Sequence, residues 1–336
     1  MENNVYIIAE IGQAHEGSLG ILHSYIDALA DTGVDAIKFQ THIAEAESSE
    51  YEPFRVKFSY EDETRYDYWK RMEFTLNQWK DIKQHCDDVG LEFISSPFSN
   101  MAVDWLEEIG VKKYKIGSGE VSNFLMLEKI AKTGKDIILS SGMSSFSELD
   151  ETISFLKVFG SNISILQCTT KYPTEAQDIG LNIIDELTCR YGLTVGLSDH
   201  SGTIYPSLAA TSQGAKILEF HVVFDKKMFG PDSNSSLAID EVKQLTQGVR
   251  FIETSLKHDI DKNDNSKFKE LKSIFEKSLA INKNMKAGDI ISFDNLEAKK
   301  PFGYGISAKD YRMVLGKKLN KNINKWDFLK EKDIDV

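Results

Sequence analysis

The sequence predicts a (β/α)8 barrel followed by a small β-rich domain. Between Val5 and Leu256, eight short apolar runs rich in Val, Ile and Phe alternate with amphipathic stretches, as buried parallel strands and their covering helices do. Glycines follow most of the amphipathic stretches, where a left-handed residue commonly ends a helix. Eight such units in this length favour a barrel. A doubly wound open sheet is the alternative, and no GxGxxG motif opens the chain to support it.

The predicted elements alternate along the chain. The strands are Val5–Ile11, Asp35–Gln40, Leu91–Pro97, Lys113–Ser118, Asp136–Ser141, Ser164–Thr169, Thr194–Ser198 and Lys216–Val222. The helices are Leu22–Leu29, Leu76–Val89, Val103–Ile109, Leu125–Ala131, Leu149–Phe159, Ile183–Tyr191, Tyr205–Ser212 and Val242–Leu256. The segment Thr41–Thr75 is too long for an ordinary loop, so we expect it to be functional, with a decorative insertion as the alternative.

The domain organisation follows from a change in composition after the last helix. Residues 1–257 are predicted to form the TIM barrel. Residues 258–277 begin with the polar run HDIDKNDNSK and are predicted to be a linker. Residues 278–336 carry short β-like pieces separated by Gly and Lys and are predicted to form the small domain.

Composition excludes several classes of protein. The net charge of −12 disfavours a nucleic-acid partner, which requires a basic face. We expect no membrane span, because no run reaches about 18 apolar residues. The start of the chain lacks the basic leader of a signal peptide. The three cysteines have no metal-ligand spacing, and we expect them to be reduced thiols. Reduced thiols are typical of the cytoplasm, where we expect this protein to be.

Polar side chains stand at the carboxyl ends of the predicted strands, where barrel enzymes place their chemistry. His200 and His221 end the last two strands and are the candidate metal ligands, since imidazole binds divalent transition metals. Buried hydrogen-bonded histidines are the alternative. Asp199, Glu219 and Asp232 are candidate carboxylate partners, either as ligands or as groups that orient them. For Asp199 a helix N-cap is a further alternative. The other polar strand-end residues include Glu10, Lys38, Gln40, Ser96, Lys115, Ser118, Ser140, Thr170 and Ser198.

Two lysines lie inside otherwise apolar strands. Burying an unpaired ammonium is costly, so Lys38 and Lys115 should each meet an anion. Serines followed by glycines and helix starts offer further donors to a phosphate. These residues predict a small phosphorylated or carboxylated substrate; a structural ion pair inside the barrel is the alternative.

The same residues lie in motifs that resemble those of the sialic acid synthase family. In order they are IAEIGQAHEGSL, AIKFQTH, SSPFS, YKIGSGE, ILSSGM, YPT, GLSDH and GPD…SL. The tail, with KAGDIIS, KPFGYGIS and LGKKL, resembles the family's antifreeze-like (SAF, β-clip) domain. The resemblance implies condensation of phosphoenolpyruvate with the open aldehyde of an N-acylated amino-hexose. The product is a nine-carbon 2-keto-3-deoxy sugar acid, and phosphate is released.

The resemblance also implies a role for each matching residue. His200 and His221 match the ligands of a Mn²⁺ or Mg²⁺ ion, and Glu10 matches the acid that handles acceptor hydroxyl or water. The phosphoenolpyruvate set is Lys38, Ser96, Lys115, Ser118, Ser140, Ser198 and Thr170, the last standing where some members have Asn. The sugar set is Gln40, Tyr172, Glu219, Asp232 and Lys300. Lys300 replaces an Arg that usually holds the acyl group, and Lys lacks the planar fork of Arg.

The resemblance implies a domain-swapped homodimer and leaves the acceptor open. The candidates are N-acetylmannosamine, its phosphorylated form, and the diacetamido-trideoxy hexoses that lead to legionaminic or pseudaminic acid. Two other functions compete: a metal-free Schiff-base aldolase that uses Lys38 or Lys115 as nucleophile, and a catalytically inactive sugar-binding barrel.

Overall fold

The computed structural model describes residues 4–54, 56 and 58–335. The chain divides into two compact units, Met1–His258 and Asp259–Val336. In the first unit eight parallel strands follow one another in chain order, and the eighth pairs with the first. This closed sheet confirms the predicted barrel.

The barrel strands are short, as in other barrels of this kind. They are β1 Tyr6–Glu10, β2 Ala36–Thr41, β3 Glu92–Pro97, β4 Lys113–Ile116, β5 Asp136–Ser140, β6 Ile163–Cys168, β7 Thr194–Asp199 and β8 Ile217–Val223. A two-residue strand, β9 Leu237–Ala238, pairs with the end of β8.

Helices cover the outside of the barrel. They are α1 Leu19–Ala30, α2 Ala44–Glu47, α3 Arg65–Met72, α4 Leu76–Asp88, α5 Asn100–Ile109, α6 Phe124–Ala131, α7 Phe146–Val158, α8 Asn182–Tyr191, α9 Tyr205–Ser212 and α10 Ile239–Leu256. Several begin at a side-chain cap: Thr75 accepts a hydrogen bond from the Gln78 N–H at the start of α4, and Ser145 from the Glu148 N–H at the start of α7. Such caps satisfy amide groups that have no partner within the helix.

Alternate residues of each strand face the inside of the barrel. A layer of apolar side chains fills the interior, formed by Ile8, Ala36, Ile94, Ile138, Leu166 and Ile217. Two residues further along their strands, Ile8 gives way to Glu10, Ile138 to Ser140 and Ile217 to Glu219. The apolar layer therefore closes the barrel beneath a buried polar layer at the carboxyl ends of the strands.

The segment between β2 and α4 holds two short helices, α2 and α3, that pack on one another. Tyr68, Trp69 and Met72 of α3 form a buried cluster with Ala44 of α2. The Arg71 guanidinium donates to Asp62 within the segment and to the Glu16 carboxylate in the loop after β1. These contacts fix the segment against the start of the barrel.

The second unit has its own apolar core and little regular structure. Helix α11, Lys269–Phe275, lies within the stretch predicted as a linker. Strands β10 Ser278–Ile281 and β11 Leu296–Lys299 form an antiparallel pair, and five isolated bridges join other short stretches. The core residues are Leu279, Ile281, Met285, Ile291, Val314, Leu319, Ile323 and Leu329. None of the helices in the described part of the chain combines the length and apolar character needed to cross a membrane.

Candidate active site

A cleft with a volume of about 420 Å³ opens at the carboxyl ends of the barrel strands. The first unit holds every predicted site residue except Lys300, and all of these residues but Asp199 line the cleft. They are Glu10, Lys38, Gln40, Ser96, Lys115, Ser118, Ser140, Thr170, Tyr172, Ser198, His200, Glu219, His221 and Asp232.

Strand register brings the charged groups together at the cleft floor. Glu10 of β1 lies opposite Lys38 of β2 on one side and His221 of β8 on the other. Lys38 Nζ is 2.5 Å from Glu10 Oε1 and 3.7 Å from Glu219 Oε1. Lys115 Nζ is 3.2 Å from the same Glu219 oxygen. All five side chains are buried, so two ammonium groups and two carboxylates share one layer.

These ion pairs set the protonation of the floor. Burial opposes the charge of Glu10, but His221 and Lys38 together with the Gln40 amide hold the pKa of that carboxyl well below its ordinary value. Burial likewise opposes the charge of Lys38, yet Glu10 and Glu219 raise the pKa of that ammonium. A protonated lysine is not a nucleophile, so Lys38 is poorly suited to the Schiff-base alternative.

Glu219 lies beneath the two lysines. Its Oε1 also accepts a hydrogen bond from Ser198 Oγ at 3.0 Å, and its Oε2 has no hydrogen-bond partner in the described part of the chain. Glu219 therefore holds the two ammonium groups in place, and its predicted contact with the sugar stays a prediction.

Hydroxyl groups surround the lysines on the side of β3 to β6. Lys115 Nζ donates to Ser140 Oγ at 2.7 Å. Ser96 Oγ is buried and has no hydrogen-bond partner among the described residues, so this hydroxyl is available to a ligand. Gly142, just after β5, is closely approached by two of these hydroxyls: a Cβ there would lie 2.4 Å from Thr170 Oγ1 and 2.6 Å from Ser118 Oγ.

The two histidines face each other across the strand ends. Their ring centroids are 5.3 Å apart, and both rings are buried. His200 Nδ1 lies 3.3 Å from the Thr169 carbonyl oxygen and donates to it in the neutral ring, which leaves Nε2 with its lone pair. Tyr172 Oη lies 3.0 Å from that Nε2. His221 Nε2 is 3.2 Å from Glu10 Oε2.

This donor set fits a metal that takes few ligands from protein. A backbone carbonyl that fixes the second ring nitrogen, as Thr169 does, is the usual support of a metal-binding histidine. Within residues 4–54, 56 and 58–335, no group of three or more His, Cys, Asp and Glu side chains is arranged to hold a metal. A metal at His200 and His221 would therefore complete its coordination with water or substrate.

Asp199 is engaged elsewhere. Its carboxylate accepts hydrogen bonds from the Ser201 amide at 3.0 Å and the Ser201 hydroxyl at 2.8 Å. Burial raises the pKa of Asp199 to about 6, against the effect of these hydrogen bonds. Asp199 is not among the residues that line the cleft; its contacts shape the turn after β7.

The long segment after β2 forms one wall of the cleft. The sequence predicted that this segment is functional but did not identify the residues that line the cleft. Glu47, Glu52, Phe54, Phe58, Arg65, Tyr68 and Trp69 line it. Gln13 and His42 also line the cleft. His42 directly follows β2, so the strand-end rule that selects Gln40 could have found it; the wall residues carry no such signal.

Lys300 lies in the second unit. Its Nζ is 4.6 Å from the centroid of the Phe275 ring, which places the ammonium over an aromatic face. Its predicted contact with the sugar stays a prediction.

The fold and the cleft together define a barrel enzyme with a buried, charged cleft floor. Residues 25–261 match the model of the NeuB family, and the chain therefore belongs to the NeuB family. The chain is 37% identical over 331 residues to the N,N'-diacetyllegionaminic acid synthase of Campylobacter jejuni, covering 97% of this chain and 98% of that one. It is 31% identical to the human N-acetylneuraminate-9-phosphate synthase, covering 98% and 92% respectively.

A solved structure supports the same relationship. The chain is similar to the N-acetylneuraminic acid (sialic acid) synthetase of Leptospira borgpetersenii, crystallised in complex with citrate. The TM-score is 0.71 and the identity 31%, and the match covers 80% of this chain and 90% of that one.

Proposed function

We propose that this protein condenses phosphoenolpyruvate with the open aldehyde form of an N-acylated amino-hexose, giving a nine-carbon 2-keto-3-deoxy sugar acid and phosphate. One observation carries the proposal: two buried lysines, a cluster of hydroxyls and two facing imidazoles share one cleft in a chain of the NeuB family. Two relatives are named as synthases of N,N'-diacetyllegionaminic acid and of N-acetylneuraminate 9-phosphate, and these names support this substrate class.

The floor suits phosphoenolpyruvate because that substrate carries a carboxylate and a phosphate. Lys115 donates to Ser140, and Ser118 and Thr170 approach Gly142 just after β5. We assign the phosphate to the part of the cleft that the Lys115 ammonium and these hydroxyls line. Lys38, Ser96 and Ser198 complete the set. Glu219 holds both ammonium groups in place between substrate molecules.

His200 and His221 are the residues that would hold a divalent metal. Imidazole binds transition metals, whereas Mg²⁺ prefers oxygen ligands, so this pair fits Mn²⁺ better than Mg²⁺. When bound, the metal would polarise the aldehyde oxygen of the acceptor as a Lewis acid.

Glu10 lies between the two substrate sites. Lys38 and Gln40 hold its Oε1, and Oε2 faces His221. This carboxylate can accept a hydrogen bond from an acceptor hydroxyl or from water. In the reaction the methylene carbon of phosphoenolpyruvate attacks the aldehyde carbon. Water adds to the neighbouring enol carbon, and the resulting tetrahedral intermediate expels phosphate with its bridging oxygen.

Gln40, Tyr172 and Asp232 line the part of the cleft that we assign to the sugar. We propose that the small domain has the antifreeze-like fold and that Lys300 contacts the acyl group of the sugar bound by a partner subunit in a domain-swapped homodimer. Light scattering should then give twice the chain mass. Activity regained by mixing Lys300→Ala with His221→Ala protein would support the exchange of domains, since a mixed dimer has one intact site.

A phosphate-release assay tests the function. The protein is incubated with phosphoenolpyruvate, Mn²⁺ or Mg²⁺, and each of N-acetylmannosamine, its 6-phosphate and the diacetamido-trideoxy hexoses. We expect release only when metal and one of these sugars are present, with the sugar acid detected by mass spectrometry. Full activity in both His200→Ala and His221→Ala would contradict the metal assignment, and no release with any sugar would contradict the function.

A further inference from the structure

A buried hydrogen-bond network connects Glu10 at the cleft floor to Glu47 in helix α2. Gln40 Nε2 donates to Glu10 Oε1 at 2.6 Å. Gln13 Nε2 lies 2.6 Å from Gln40 Oε1 and 2.9 Å from His42 Nε2. His42 Nδ1 lies 2.6 Å from Glu47 Oε1. The network joins the long segment after β2 to the floor.

The two ends of the network determine the orientation of everything between them. An ionised carboxylate only accepts hydrogen bonds. Glu10 therefore requires the Gln40 amide nitrogen, which turns Gln40 Oε1 towards Gln13. That oxygen requires the Gln13 amide nitrogen as its donor. At the other end, Glu47 requires a hydrogen on His42 Nδ1.

These requirements meet consistently at Gln13. Its Nε2 carries two hydrogens, and the two acceptors near it are Gln40 Oε1 and His42 Nε2. The neutral His42 ring with its hydrogen on Nδ1 leaves a lone pair on Nε2 to accept the second of them. In the other tautomer the hydrogen on His42 Nε2 would face the hydrogens of the Gln13 amide nitrogen. The acceptor near Nε2 would then be Gln40 Oε1, which is 3.1 Å away and already accepts from Gln13.

Stacking holds the His42 ring in the plane that this network needs. The ring lies between Trp69 and Phe98, with centroids 4.1 Å and 4.6 Å away and interplanar angles of 20° and 10°. Glu47 and His42 are almost completely shielded from solvent, at 6% and 3% side-chain exposure, so water competes little for their hydrogen bond.

We propose that Glu47 and His42 are positioning residues for the acceptor. Glu47 sets the tautomer of His42, and His42 thereby fixes the amides of Gln13 and Gln40. Among the described residues only Glu10 accepts from Gln40 Nε2, which leaves the second amide hydrogen of Gln40 for an acceptor hydroxyl. This inference rests on the proposed function for the identity of the acceptor. The predicted tautomer of His42 does not depend on that function.

Four variants and one spectroscopic measurement test the proposal. Glu47→Ala removes the acceptor of the His42 hydrogen, whereas Glu47→Gln keeps an oxygen that can accept it. His42→Phe keeps a ring between Trp69 and Phe98 but removes both nitrogens. The matched control is Glu45→Ala, because Glu45 is exposed on the same helix.

We expect kcat/KM for the acceptor sugar to fall about 10- to 100-fold in Glu47→Ala and His42→Phe, as for a misplaced contact group. The KM for phosphoenolpyruvate should change less than about twofold, because the lysines are untouched. Glu47→Gln should recover most of the loss. Unchanged kinetics in Glu47→Ala, equal losses for both substrates, or no recovery in Glu47→Gln would overturn the proposal.

Nitrogen-15 chemical shifts of labelled histidine report the tautomer directly. We expect the His42 signals of the native protein, assigned by their loss in His42→Phe, to show hydrogen on Nδ1 and none on Nε2. Hydrogen on Nε2, in either the neutral or the charged ring, would overturn the inference whatever the kinetics of the variants. If the native protein releases no phosphate, the proposed function fails, while this measurement still decides the state of His42.

Discussion

Gly142→Ala should specifically weaken the binding of phosphoenolpyruvate. The added Cβ would lie 2.4 Å from Thr170 Oγ1, 2.6 Å from Ser118 Oγ and 3.1 Å from Cys168 Sγ. Ordinary contacts begin near 3.4 Å, so the two hydroxyls must move by about 1.0 Å and 0.8 Å in an interior that is close-packed. Rotation of the hydroxyls away from Cβ would remove them from the phosphate equally well.

A displacement of about 1 Å in a positioning group can cost about 100-fold in rate, which corresponds to about 2.7 kcal/mol of transition-state stabilisation. Steady-state kinetics should show this loss in kcat/KM for phosphoenolpyruvate, and calorimetry should show weaker binding of that substrate alone. Gly20→Ala is the matched control, because among the described atoms only Ser18 Oγ, at 3.9 Å, lies near the added carbon. An unchanged KM for phosphoenolpyruvate in Gly142→Ala would refute the assignment of the phosphate to the Ser118 and Thr170 hydroxyls.

Three further predictions concern stability. Gly196→Ala should destabilise the barrel by about 3 kcal/mol in urea unfolding, because its Cβ would lie 2.2 Å from the Ile217 carbonyl oxygen. An unchanged urea concentration at the unfolding midpoint would contradict the close packing at this position. Thr75→Ala removes the cap of α4 and should cost about 1 kcal/mol, a loss that Thr75→Ser should largely restore. Asp62→Asn should cost about 1–2 kcal/mol at pH 7, because the hydrogen bond from Arg71 lowers the pKa of Asp62. This difference should narrow as pH falls below about 4, because Asp62 protonates first in the unfolded chain and only at lower pH in the folded protein. A difference in stability that persists at low pH would contradict the ion pair.

The fold was largely predictable because the barrel repeats one unit. Most strands are largely apolar up to their last residues, and a left-handed glycine such as Gly110 or Gly192 ends a helix. These are local signals. The short helix Lys269–Phe275 carries no strong local signal, because it has no buried residue, and the sequence predicted a linker there.

The site was predictable where it depends on strand register. Glu10, Lys38 and His221 occupy matching positions on neighbouring strands, so a polar residue at each strand end was enough to find them. Glu47 and Trp69 were not predictable in this way. They reach the cleft through the packing of α2 on α3, which depends on contacts between residues far apart in the sequence. Asp199 shows a limit of the strand-end rule. Its carboxylate stands at a strand end but accepts hydrogen bonds within the turn that follows.

The fate of the bridging oxygen of phosphoenolpyruvate tests the central claim most directly. Phosphoenolpyruvate labelled with oxygen-18 between carbon and phosphorus is incubated with the enzyme, the metal and the active sugar, and the released phosphate is analysed by mass spectrometry. Attack of the methylene carbon on the aldehyde, followed by loss of phosphate from the tetrahedral carbon, predicts that the label leaves with phosphate. Unlabelled phosphate would mean that water attacks phosphorus, and would contradict the proposed condensation.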